Sequence, residues 1–348
     1  MKKLIYLSAI LALTACKKED PIEPSPEVYT NGILVLNEGL YQQNNASISY
    51  FSKADETVLQ QQFLAANGRG LGDTANDLVT FEQNGNTFFA VAVDVSSQLE
   101  IISASNLQSI AQIPLFNGEI ARQPRRVAVN GYKIYSCNYD GTVSVYDKSS
   151  LQELALIDAG QNPDGLVIVN DKVYVSNSGG LNSPNYDSTL TIIDANTDMI
   201  SSVLTTRVNC IDAIAGENND VYLNSRGDYA GVAPAILRID ADADTVLYEF
   251  PLDVSSWVYN DGWLYYIDAT LNGVYRYNTS SNTFENNQII DCSDFNTPYK
   301  IEVHQNEIYL VDANNYVNSS VVKVYDLSGN PLYEFTAGLN AKDFVFND

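Results

Sequence analysis

The segments "KIYSCNYDGTVSVYDKSS", "KVYVSN…STLTIIDANTD", "DVYLNS…AILRIDADAD", "WLYYIDATLNGVYRYNTSS" and "EIYLVD…VVKVYDLSGN" are versions of one pattern. Each has an alternating strand, a loop, a second alternating strand and a polar turn. Two more divergent copies, "GILVLNEG…ASISYFSKADE" and "TFFAVAVDVSSQLEIISASN", precede them. The first strand of each copy closes at Asn37, Asp94, Asn138, Asn177, Asn224, Asp268 and Asp312. These positions recur at intervals of roughly forty residues, the length of one supersecondary unit. A lone hairpin cannot bury its faces, so such a chain must stack its units. The apolar period is two throughout, which excludes helical solenoids.

A further strand precedes each hairpin ("RRVAVN", "GLVIVN", "KIEVHQ") and another follows it ("ELALID", "SSVLTT", "LYEFTA"). Four antiparallel strands per repeat is the signature of a β-propeller blade. The innermost strands are expected to begin near Thr74, Arg122, Asn162, Asn209, Val254, Pro298 and Asn340. The first hairpin has no innermost strand of its own, and the final segment "AKDFVF" is a strand with no hairpin behind it. The sequence therefore predicts an all-β, seven-bladed β-propeller over residues 31–348, closed by the C-terminal strand completing blade one.

In a propeller the chain runs outward through strands a, b, c and d and then crosses to the next blade. The b–c loops and d–a crossovers thus share one face, and the a–b and c–d turns the other. The turns ("ND", "NDG", "KSS", "ANTD", "SGN") are short and contain neither aromatics nor arginine, as backbone geometry alone requires. The opposite face carries long loops such as "NEGLYQQNNA", "NSGGLNSPNYDS" and "NSRGDYAGVAPA". Tyrosine offers large contact area at low entropy cost, and arginine a rigid fork of donors. The loop-rich face is accordingly the expected binding face. Its candidate ligand contacts are Tyr41, Asn67, Arg69, Arg122, Tyr139, Asp164, Tyr186, Arg207, Arg226, Tyr229, Trp257, Tyr299 and Tyr316. Phe116 and Phe295 lie on the same crossovers. Glu38 and Asp164 are carboxylates on this face, but no general acid and base pair stands at a fixed spacing.

The glycine-rich "ANGRGLGDTAND" is not a phosphate loop, because its glycines fall at alternate positions and no helix follows them. It reads as the crossover from blade one to blade two, its glycines letting the backbone turn sharply toward the ring axis, with Asn67 and Arg69 free to meet a ligand.

Composition excludes several chemistries. The chain has one histidine, His304, so His-rich zinc sites, haem ligation and a Ser–His–Asp triad are not expected. Beyond Cys16, only Cys137, Cys210 and Cys292 remain, at spacings that match no metal pattern. Cys210 and Cys292 are expected at the starts of innermost strands two blades apart, too far for a bridge. "DADADT", from Asp240 to Thr245, lacks the turn glycine and distal glutamate of a calcium loop and reads as a solvated turn. No metal, no cofactor and no enzymatic activity are expected. The formal net charge of −24 repels nucleic acid and anionic lipid.

The N-terminus reads as an address. "MKKLIYLSAILALTAC" has a basic start, a short apolar run and small residues before Cys16, which predicts a signal peptide over residues 1–15. "LTAC" resembles a bacterial lipobox, with Cys16 the lipidated first residue of the mature chain. Residues 16–30, rich in charge and proline, read as a disordered tether. "KKED" resembles the surface-export signal of Bacteroidota lipoproteins. The expected protein is a monomer, anchored by lipid alone to the outer membrane and facing outward.

The run "LNEG", "NNASISYFS" and "ANGRGLGDTAND" resembles the opening of the YncE-like, DUF5074-type β-propeller lipoproteins of Bacteroidota, and "NPDGLVIVNDKVYVSNSG" resembles their general blade. The resemblance covers nearly the whole mature domain. The group includes the BtuG-type surface lipoproteins, which capture cobalamin and related corrinoids and sit on a TonB-dependent outer-membrane transporter. It implies a corrinoid (cobalamin or cobinamide) as ligand and such a transporter as partner. Other readings remain open from the sequence: a ferric siderophore as ligand, a protein–protein interaction scaffold, or a lactonase- or quinoprotein-like enzyme.

Overall fold

The computed structural model describes residues 29–347, so the expected signal peptide, the Cys16 lipidation site and most of the tether lie outside the described residues. Seven antiparallel sheets form the blades of a β-propeller. Blade one joins the C-terminal strand Ala341–Asn347 to Gly32–Asn37, Ser47–Ser52 and Val58–Leu59. Blades two to seven follow in chain order, with innermost strands Ala75–Gln83, Pro124–Asn130, Pro163–Val169, Cys210–Ala215, Val254–Asn260 and Pro298–His304. Each begins within two residues of its expected start. The ring closes as expected, with Gly32–Asn37 antiparallel to Ala341–Asn347. The fold starts slightly earlier than the tether boundary suggests, since Tyr29 is buried and its carbonyl accepts from Asn347 Nδ2 at 2.9 Å.

The b strands are buried on both faces because each is wedged between two neighbouring blades. In "KVYVSN", Val173 and Val175 pack toward blade three, against Tyr135 and Cys137. Tyr174, between them in sequence, turns the other way onto Val221 and Leu223 of blade five. Alternation thus serves two cores. Full burial of each such side chain stabilises the fold by roughly 1.5–3 kcal/mol, so stability is distributed around the ring.

Polar clasps repeat between blades on the turn face. Lys133 Nζ and Tyr135 Oη of blade three both donate to Asp198 in the c–d turn of blade four, at 2.8 and 3.0 Å. Lys172 and Tyr174 make the same pair of contacts to Asp244 of blade five, at 2.8 and 2.6 Å. The residues of "DADADT" therefore hold a neighbouring blade. Its first aspartate, Asp240, accepts the Asp242 backbone N–H at 2.8 Å, the Asx geometry also found at Asp147, Asp194 and Asp326.

Two local expectations need correction. A short helix, Gln62–Asn67, ends at Gly68, whose positive φ of 66° is the usual left-handed stop, so Gly68 terminates a helix rather than bending a bare crossover. Cys292 lies after the short outer strand Ile290–Asp291 of blade six, six residues before the innermost strand of blade seven opens at Pro298. The Asp/Asn/Ser-rich crossover "CSDFNT" separates Cys292 from that strand, so the thiol is not at a strand start. Cys137, Cys210 and Cys292 are all buried free thiols. His304 ends its innermost strand and stacks on Phe346, with ring centroids 4.1 Å apart. No helix among the described residues is long and apolar enough to cross a membrane.

Candidate ligand-binding site

Every innermost strand carries a β-bulge near its entry on the loop face. A bulge inserts a residue and re-aims side chains, so two consecutive residues can face the ring axis where a regular strand offers one. The pairs are Asn76–Asp77, Arg125–Arg126, Asp164–Gly165, Ile211–Asp212, Ser255–Ser256, Tyr299–Lys300 and Lys342–Asp343. Nearly all of them line an axial cavity of about 690 Å³, a volume within the usual range for small-molecule sites.

In several pairs the second residue also fastens the ring. Asp343 Oδ2 accepts the Leu78 N–H at 3.1 Å, Asp77 Oδ2 accepts that of Val127 at 2.8 Å, and Ser256 Oγ accepts that of Ile301 at 3.1 Å. Each bond joins one blade to the next. Arg126 donates to Asp212 two blades away, at 3.3 Å, and Trp257 Nε1 donates to the other Asp212 oxygen at 2.9 Å. Burial pushes the Asp212 carboxyl up, but Arg126 and Trp257 outweigh it and hold the group below its ordinary range. Asp77 fares differently. Burial, with Asp343 adding to it against Arg126, pushes its carboxyl up to about 6.

Nearer the mouth, Arg125 bridges Asp94 at 2.7 Å and Asp164 at 2.9 Å and stacks on the Tyr139 ring, 4.5 Å from its centroid. Tyr139 Oη donates to Asp164 at 2.9 Å. On the facing side Tyr299 Oη donates to Glu38 and receives from Lys342 Nζ at 3.1 Å. Burial raises the Glu38 carboxyl, and Lys342 with the Tyr299 hydroxyl more than reverses this. The lining cations Arg125, Arg126, Arg226, Lys300 and Lys342 outnumber by one the lining carboxylates Asp77, Asp164, Asp212 and Asp343. In the whole chain, 43 acidic residues oppose 19 Lys and Arg, so the cavity is locally enriched in positive charge.

Of the expected contacts, Asp164, Arg226, Tyr229, Trp257, Tyr299 and Tyr316 line the cavity. Tyr139 lies behind Arg125, and Tyr186 meets Tyr229 edge-on at 5.9 Å. Tyr41 is exposed on the loop face away from the cavity lining. The remaining four are not brought to the cavity, for a shared reason. Arg69, Arg122 and Arg207 each pair with a glutamate on an outer strand of the blade they lead into: Glu100 at 2.7 Å, Glu153 at 2.7 Å and Glu249 at 2.9 Å. Asn67 donates to Leu107 O and accepts the Ser109 N–H, both at 2.8 Å. These side chains pin crossovers outward. The expectation that Asn67 and Arg69 stand free is thereby corrected. Phe295 is buried in the blade-seven core, and Phe116 is exposed on a small extra hairpin, Phe116–Asn117 with Ile120–Ala121.

Sequence reasoning missed Arg125, Arg126, Asp212, Lys300, Lys342, Asp77 and Asp343. Their signal was present: with the blades aligned, "AND", "PRR", "PDG", "CID", "VSS", "PYK" and "AKD" fall in one column. Only the bulge makes that column axial.

Two rim tyrosines stand in strained backbone. Tyr229 has φ of 59° and Tyr316 φ of 64°, the left-handed region that costs a side chain with a Cβ about 1 kcal/mol or more. Both are nevertheless exposed, at 74% and 49%. The Tyr229 loop is rigid: Asp228 accepts the N–H groups of Ala230, Gly231 and Val232 at 2.9, 2.8 and 2.7 Å. Gly227 closes it, since a Cβ there would sit 2.0 Å from Val232 O. Tyr316 meets Tyr299 edge-on at 5.7 Å.

Fold and site together define a seven-bladed β-propeller whose loop face opens into an axial, cation-enriched cavity flanked by exposed tyrosines. No family model and no curated relative matches the sequence. Among solved structures, the chain is similar to a quinoprotein alcohol dehydrogenase-like protein of Bacteroides thetaiotaomicron, at TM-score 0.68 and 15% identity, over 92% of this chain and 79% of that one. It is also similar to hydrazine synthase of Kuenenia stuttgartiensis (TM-score 0.62, 14% identity, 76% and 87% covered). The WD40 domain of Neurospora crassa Pan2 matches at TM-score 0.56 and 9% identity, with 76% and 79% covered. At these identities the likeness carries the fold alone.

Proposed function

We propose that this chain is a YncE-like surface lipoprotein of the BtuG type, one that captures a corrinoid and hands it to a TonB-dependent outer-membrane transporter. The observation that carries the reading is the pair Tyr229 and Tyr316, exposed and backbone-strained at the rim of the axial cavity. Strained, exposed aromatics destabilise the free protein, which fits side chains placed for a ligand. A corrin macrocycle is broad, flat and rimmed with amides. It suits stacking on tyrosine above a bowl lined by mixed hydrogen-bonding groups. The lipobox-like Cys16 and the export-like "KKED", lysine followed by acidic residues, supply the address. The protein acts by binding and transfer, without turnover.

Titration calorimetry of the mature chain with cobalamin and with cobinamide tests this. Saturable binding tighter than about 1 μM is expected for at least one of them. Absence of heat with both at tens of micromolar (roughly −6 kcal/mol or weaker) would sink it. A ferric siderophore is the second reading, favoured by the cation-enriched lining. It predicts binding of an anionic ferric complex and none of either corrinoid.

A further inference from the structure

Every arginine among the described residues except Arg226 is held in an ion pair with a carboxylate. In a chain of net charge −24, carboxylates are abundant, so an arginine left without one is set apart by its placement. Arg226 lines the axial cavity and also a side pocket of about 290 Å³ formed by its own loop. Asp253 shares that side pocket but makes no ion pair with it. The backbone beneath Arg226 is fixed. Its N–H donates to Asn209 O at 3.0 Å, Gly227 and Asp228 lock the loop that follows, and Arg207 ties that loop down at Ala233 O, 2.6 Å away.

We propose that Arg226 is an anion-binding residue: its open guanidinium takes a phosphate group of the ligand while Tyr229 and Tyr316 hold the apolar part. The assignment rests on the cavity being the ligand site and gives the corrinoid reading a specificity. Cobalamin carries one phosphodiester in its nucleotide arm, and cobinamide carries none. A planar guanidinium offers paired N–H donors to two oxygens of such a group, and it arrives with no carboxylate to displace. The other lining cations lack this freedom, because Arg125 and Arg126 are committed to Asp94, Asp164 and Asp212, Lys300 to Glu302, and Lys342 to Glu38.

Two measurements on the mature chain test it. In the first, the wild type is treated with phenylglyoxal, an arginine reagent, and each site is followed by mass spectrometry with and without inorganic phosphate. Arg226 should be modified fastest, and phosphate should slow Arg226 selectively. In the second, Arg226→Gln and Arg226→Lys are titrated with cobalamin and cobinamide. Arg226→Gln should weaken cobalamin about tenfold and leave cobinamide unchanged, with Arg226→Lys between the two, and the loss should shrink in high salt. No protection by phosphate, or an equal effect of Arg226→Gln on both corrinoids, overturns the assignment. If the wild type binds neither corrinoid while phosphate still protects Arg226, the corrinoid reading falls and the anion site stands.

Discussion

Arg126 in blade three reaches Asp212 in blade five at 3.3 Å, passing over blade four, where the equivalent position is Gly165. The contact ties non-adjacent blades through the cavity wall. It also sets what the cavity can bind, since it consumes one cation and one carboxylate that would otherwise face a ligand.

Arg126→Met should destabilise the fold by about 2 kcal/mol, because the Asp212 carboxylate would lose its ion pair and keep only the Trp257 and Ala213 N–H groups as hydrogen-bond donors. Denaturant unfolding of Arg126→Met, Asp212→Asn and the double variant checks this. The double variant should lose less than the two singles added together.

Gly165→Ala should cost about 1–3 kcal/mol by overpacking. A Cβ there would lie 2.5 Å from Ser176 Oγ and 2.6 Å from Ala213 N, and the second of these is backbone of the next blade, which cannot swing aside. Thermal unfolding of this variant should show a lower midpoint, and an unchanged one would mean that the blades are less closely packed here.

Asp77 gives stability a pH dependence of definite sign. Its folded carboxyl is raised from 3.8 to about 6, so the folded state binds the proton more tightly than the unfolded chain. This group therefore adds stability as pH falls from about 6 toward 4, and it costs stability above that window. Asp212 and Glu38, held low, work oppositely: their contribution is present at neutral pH and is lost only below the ordinary carboxylate range. Asp77→Asn, which keeps an oxygen for the Val127 N–H, should be more stable than wild type by about 1–2 kcal/mol near pH 8, the effect being moderated because Asp77 lines the open cavity. The difference should vanish near pH 4, and melting curves across that range read it directly.

Tyr229 separates stability from binding. Tyr229→Gly removes a Cβ from left-handed backbone and should leave the melting midpoint equal or raise it, while weakening ligand binding about tenfold. A lower midpoint would show that the ring supports its loop instead.

The blade count, the closure and the face that carries the long loops were legible in the sequence, because strand period and turn chemistry are local signals. The cavity wall was not. Arg125 and Arg126 follow Pro124 at the start of a strand, and nothing local tells that a bulge turns both toward the axis. Arg69, Arg122 and Arg207 were misplaced for the converse reason. Their glutamates lie about thirty to forty residues further on, in outer strands whose register only the folded sheets reveal. Tyr229 and Tyr316 were found because a long loop bearing an exposed aromatic reads the same in sequence and in space.

If the tyrosine-flanked axial cavity is the ligand site, removing both rim tyrosines must cost affinity. Calorimetric titration of cobalamin into the wild type and into the double variant Tyr229→Ala/Tyr316→Ala tests it most directly, with circular dichroism confirming that the variant is folded. Tight binding to the wild type and a loss of about a hundredfold or more in the variant are expected. Equal affinity in the two proteins would contradict it.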